Sequence, residues 1–97
     1  MRLLYVLDEQ GNPMGEDNID VWSSWFINAD GTVAIDEVSG VLISTMFLGV
    51  DHSSGNGKPL LFETMIFGGV HDGYMDRYTM RDEALIGHVR AVKLVTG

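Results

Sequence analysis

The sequence predicts an α+β fold: a four-stranded, mostly antiparallel sheet with two helices packed on one face. Three observations predict it. Two apolar strands, Val41–Val50 and Leu60–Gly68, flank a polar, glycine-bearing loop, Asp51–Pro59. Two further runs, Arg2–Leu7 and Thr32–Val38, have strand composition. Apolar residues recur at helical spacing around Trp22–Phe26 and again after Thr79. At 97 residues, the chain 1–97 reads as a single domain with one core.

Arg2–Leu7 is the expected first strand, rich in Leu, Tyr and Val. Gly11, Asn12, Pro13 and Gly15 mark a loop over Asp8–Gly15. Asp17 or Asn18 can cap a helix running to about Asn28, with Asp20 near its positive end. Its apolar positions are Ile19, Trp22, Trp25 and Phe26, and Asn28–Gly31 stops it. These aromatics read as core rather than as a recognition surface. Thr32–Val38 follows as a strand with Val33, Ile35 and Glu37 on one face, and Ser39-Gly40 turns the chain.

The next two strands are apolar on both faces. Val41, Ile43, Thr45 and Phe47 alternate with Leu42, Ser44, Met46, Leu48 and Val50. Leu60, Phe62, Thr64 and Ile66 alternate with Leu61, Glu63, Met65 and Phe67. Both faces therefore need cover. Two helices can cover one; the other needs loops, a ligand or a second copy, and a homodimer is the favoured expectation. Gly68–Tyr78 reads as a loop with short strand character near Tyr74–Tyr78. Thr79 opens the last helix, Thr79–Asp82 approximates a capping box, and the helix runs to about Val95.

Composition narrows the function classes. Hydrophobic content of 45% and charged content of 21% exclude a disordered chain. With no cysteine, disulfides and thiolate metal sites are excluded. The N-terminal apolar run meets Asp8 and Glu9 too soon for a signal peptide. No uncharged run approaches the ~20 residues of a spanning helix, so a soluble intracellular protein without membrane contact is expected. The net charge is −8; residues 1–40 carry eight acids against one base, and the remainder is near neutral. That acidity argues against duplex nucleic acid as a ligand. It permits imitation of phosphates toward a basic partner, but plain solubility is the favoured explanation.

Glu63 is the one carboxylate inside the run Leu60–Phe67. A charge there must be paired, protonated or near water. On a helical wheel His88 falls near the centre of an apolar face with Ala84, Leu85, Val89 and Val92, and Arg81 lies one turn before Leu85. A polar cluster of Glu63, His88 and Arg81 or Arg77 is one reading; a core histidine donating to a carbonyl or to Glu63 is the other. Tyr74, Arg77 and Tyr78 suit a stacked base and its phosphate, or a packed loop. His52 and His71 have acidic neighbours but no diagnostic metal spacing, and neither a metal nor a cofactor is expected. No nucleophile elbow, phosphate loop or dinucleotide fingerprint is present, and the run Asp51–Gly57 reads as a turn.

Phe47–His52, Leu61–Gly69, Asp76–Thr79 and Gly87-His88, together with the aromatic helix Trp22–Phe26, resemble a family of short bacteriophage- and prophage-encoded proteins. Where members often carry Trp-Glu-Glu after the threonine, this chain has Met80-Arg-Asp. The resemblance implies a phage context and no established activity. From it follows the expectation of a non-enzymatic accessory protein in the host cytoplasm, binding a host defence protein or a nucleotide-like small molecule. The candidate ligand-binding residues are Glu63, Arg77, Tyr78, His88 and His52. One alternative is a small hydrolase or metal-dependent enzyme using His52, Glu63 and His88. Another is a structural or assembly component of the phage.

Overall fold

The computed structural model describes residues 3–55 and 57–97. The elements run β1 (Tyr5–Leu7), β2 (Pro13–Gly15), α1 (Ile19–Asn28), β3 (Thr32–Val38), β4 (Val41–Phe47), β5 (Phe62–Phe67), β6 (Met75–Tyr78) and α2 (Arg81–Thr96). Strands β3-β4-β5-β6 form one antiparallel sheet in sequence order, and α2 packs on one of its faces. This is the expected α+β class.

The fourth strand of that sheet is β6, not the N-terminal segment. Strand β1 pairs with β2 in a separate two-stranded sheet, Tyr5 opposite Gly15. Its backbone links run to the segment just after β4, through a Leu4–Val50 bridge and bonds from Tyr5 N to Gly49 O and from Asp51 N to Leu3 O, and Tyr5 and Leu7 pack against the core of the larger sheet. Arg2, expected at the head of the first strand, and Asn56 in the long loop lie outside the described residues.

Strand alternation sorts the side chains as their parity requires. Ile43, Thr45 and Phe47 of β4 and Phe62, Thr64 and Ile66 of β5 are buried beneath α2. A bulge between Thr32 and Ala34 shifts the parity of β3, so Val33 packs toward the core while Ile35 and Glu37 stay on the outer face. Ser39 and Gly40, both at positive φ, make the tight β3–β4 turn.

Helix α2 buries Ala84, Gly87, His88 and Ala91, whereas Leu85, Ile86 and Val89 remain exposed. The wheel position of His88 is as expected, but the apolar face is not. Small residues let the helix lie close over Tyr78, Phe62 and the two threonines; Val92 and Val95 pack against Ile43 and Ile66 farther along, while Leu85, Ile86 and Val89 point away. Its N-cap is Met80, whose amide donates to Glu83 Oε1, so the capping role falls one residue later than Thr79 and Asp82.

Helix α1 is capped by Asn18, whose side chain accepts from the amides of Asp20 and Val21. Trp25 packs edge-on to Phe47, itself against Phe62, on the same inner face that α2 covers. Trp22 Nε1 donates to Gly49 O at 3.0 Å, and Phe26 lies over Gly49. Gly49 has φ +75° and no room for a Cβ under the Phe26 ring. This kink ends regular β4 at Phe47, short of the expected Val50. Among the described residues no helix is long and apolar enough to cross a membrane.

Candidate functional site

The expected site residues separate onto the two faces of the sheet and a loop. On the inner face, His88 is buried with both ring nitrogens engaged. Nε2 meets Asp36 Oδ2 at 2.7 Å and Nδ1 meets Thr45 Oγ1 at 2.7 Å. Thr45 Oγ1 in turn lies 2.5 Å from Thr64 Oγ1. A carboxylate only accepts, so Nε2–H donates to Asp36 and, in a neutral ring, Nδ1 accepts from the Thr45 hydroxyl. Thr64 then donates to Thr45. The chain is fully polarised from the exposed edge strand inward.

Tyr78 continues this line. Its hydroxyl is buried beside Thr64 and against Gly87, with no well-formed hydrogen bond among the described residues. Burial pushes the phenol above its ordinary pKa, outweighing the pull of Thr64.

Carboxylate, imidazole and hydroxyl in sequence have the order of a nucleophilic triad. Thr45 and Thr64, however, have no exposed surface, so no substrate atom can reach either hydroxyl. The arrangement satisfies buried polar groups between α2 and the sheet.

Glu63 is not part of it. It faces the opposite side of β5, where its Oε2 accepts from Arg77 Nε at 2.9 Å, directly across the β5–β6 pair. The expected Glu63–His88 cluster is therefore replaced by two pairs, Glu63–Arg77 outside and Asp36–His88 inside. The reason is parity: Thr64, not Glu63, shares a face with Phe62 and Ile66. Arg77 and Tyr78 are neighbours on a strand and point to opposite faces, so they do not form the expected stack.

Around Glu63 and Arg77 the outer face is apolar. Ile35, Leu42, Met46, Phe67 and Met75 are exposed on it, with Met65 half-buried between them. Antiparallel sheets that face water usually show polar side chains there.

His52 is exposed on the loop after β4. Its neighbour Asp51 organises that loop, Oδ1 accepting from the amides of Ser53 and Leu60 and Oδ2 from the Ser53 hydroxyl. Partial desolvation works to raise the Asp51 pKa, but those amide bonds, with smaller help from the Ser53 hydroxyl and His52, hold it below the ordinary carboxylate value. The unfolded chain thus binds this proton more readily, and the stabilisation is lost as pH falls below about 4. Asp51→Asn, which keeps one acceptor oxygen, is expected to flatten the loss of stability in acid seen by urea titration between about pH 5 and pH 2. An unchanged acid slope would remove Asp51 from this role.

His52, Glu63 and His88 do not converge, and among the described residues no group of three or more His, Cys, Asp or Glu could hold a metal ion. The grouping of those three on which the alternative enzyme reading rested is not formed. The residues that sequence reading missed are Asp36, Thr45 and Thr64. Their signal was two threonines on otherwise apolar strand faces, which require a polar partner in the core. No protein-family model matches the chain, and no curated protein and no solved structure is detectably similar to it.

Proposed function

We propose that this chain is a non-enzymatic binding protein that works by burying the outer face of its four-stranded sheet against another protein. The observation that carries this reading is that face itself: an apolar surface around one partly buried ion pair. Contiguous exposed apolar surface on a small domain marks an interaction site. Three methionines, Met46, Met65 and Met75, contribute to it, and their unbranched side chains adapt to a partner. Glu63 and Arg77, with side chains 18% and 30% exposed, supply direction within it. The setting is the one that the resemblance implies: a phage-encoded accessory factor inside a bacterial host. A nucleotide-like ligand has less support, since Arg77 and Tyr78 lie on opposite faces and His88 is sealed inside.

Peroxide footprinting in expressing cells tests the proposal. Met46 and Met75 are 39% and 46% exposed, and Met14 and Met80, which lie off this face, are 48% and 42% exposed. Relative to the unfolded chain, Met46 and Met75 are expected to oxidise several-fold more slowly than Met14 and Met80. Equal rates at all four would overturn the reading.

A further inference from the structure

We infer that the partner covering the outer face is a second copy of this chain, giving a two-fold symmetric, sheet-on-sheet dimer. The inference rests on the outer face being the recognition surface proposed above.

Charge is the first argument. The chain carries −8, with −7 in residues 1–40. A basic partner would be steered to that acidic part. On the outer face the Glu63 and Arg77 charges cancel across 2.9 Å, leaving Glu37 at one corner. Two copies that repel elsewhere can meet here with no like charges opposed at the centre. A contact of one patch with itself closes after two subunits.

Area is the second argument. Eleven side chains of β3–β6 alternate onto this face: Thr32, Ile35 and Glu37 from β3, three from β4, three from β5 and two from β6. At ~4.8 Å between strands and ~6.6 Å between same-face residues, they span roughly 350 Å² in plan. Side-chain relief brings the accessible area to on the order of 600 Å² per copy, the lower edge of a specific interface. An interface of that size gives a reversible dimer sensitive to concentration. Aligned packing of two such sheets is a standard geometry.

The alternative route to self-association is discouraged. The edges of the sheet are β3, where Asp36 and Glu37 disfavour strand addition, and β6, which is only four residues long and carries Asp76 and Arg77.

Light scattering on the purified full chain, from about 1 to about 100 µM, tests the inference when combined with peroxide footprinting. The mass is expected to rise from 10.7 kDa toward twice that value. Over the same range, oxidation of Met46 and Met75 is expected to slow several-fold, with Met14 and Met80 unchanged. Phe67→Glu is expected to hold the chain at one copy with unaltered circular dichroism. Met46→Lys repeats that test at a second position should Phe67→Glu fail to fold. A single-copy mass throughout would overturn the dimer, as would protection of Met14 and Met80 in place of Met46 and Met75. Protection of Met46 and Met75 in cells but at no concentration of the purified chain also overturns it, while leaving the face as a surface for a different protein. Absence of protection in both settings removes both readings.

Discussion

Gly87→Ala is expected to destabilise the protein by about 3 kcal/mol, a fall on the order of 15 °C in Tm for a chain of this length. Propensity alone predicts the opposite, since alanine gains roughly 1 kcal/mol over glycine inside a helix. The structure reverses the sign. A Cβ at residue 87 would overlap the hydroxyl, Cζ and Cε1 of Tyr78. Tyr78 cannot retreat, because it is buried against Phe62 in the core beneath α2. The helix would have to lift, and with it Ala84, His88 and Ala91. Tyr78→Leu in the Gly87→Ala background removes the obstruction and is expected to recover part of the loss. Tyr78→Phe alone should be close to neutral, because the hydroxyl it deletes has no well-formed partner. Thermal melts of the four proteins check this. A Gly87→Ala melt within a few degrees of the parent would show that α2 does not sit as closely as described.

The same contact explains what the sequence could and could not reveal. Strand parity was legible throughout β4 and β5, because alternation is a property of the backbone and needs no knowledge of neighbours. Which face would receive the helix was not legible. Phe62 and Ile66 on one side and Met65 and Phe67 on the other are comparably apolar. Choosing the wrong face assigns Glu63 to His88. Thr45 and Thr64 are opposite one another only once the β4–β5 register is known, and the long connection between those strands does not fix it. The contact surface of α2 was hidden for a related reason. Hydropathy favours Leu85 and Val89, but the sheet fills the depth beneath the first half of the helix with Tyr78 and Phe62, so the small Ala84 and Gly87 face it, and Val92 and Val95 pack only farther along, beside Ala91. Most of the residues singled out in the sequence have structural roles. Phe47 and Phe62 are core, Gly49 seats α1, Asp51 ties its loop, and Gly87 and His88 dock α2. Glu63 and Arg77 are the exception, since their pair lies outside the core, within the apolar outer face.

His88→Ala is expected to cost about 3 kcal/mol in urea unfolding, with any binding through the outer face retained at conditions where the variant is folded. The imidazole bridges α2 to β3 through Asp36 and to β4 through Thr45. Its removal opens a cavity and takes away the acceptor of the buried Thr45 hydroxyl, leaving the Thr45–Thr64 bond as that hydroxyl's remaining contact. Thr45→Val conserves volume and orphans Nδ1 of His88, so a smaller loss of roughly 1–2 kcal/mol is expected. Asp36→Asn should cost least, because the Asp36 side chain is 55% exposed and water can replace much of what it offers. The double variant His88→Ala with Thr45→Val should lose less than the two single losses added, as expected for residues in one hydrogen-bonded chain. Additive losses would mean that the histidine and the threonine contribute independently. A cost below about 1 kcal/mol for His88→Ala would show that the histidine does not hold α2 in place.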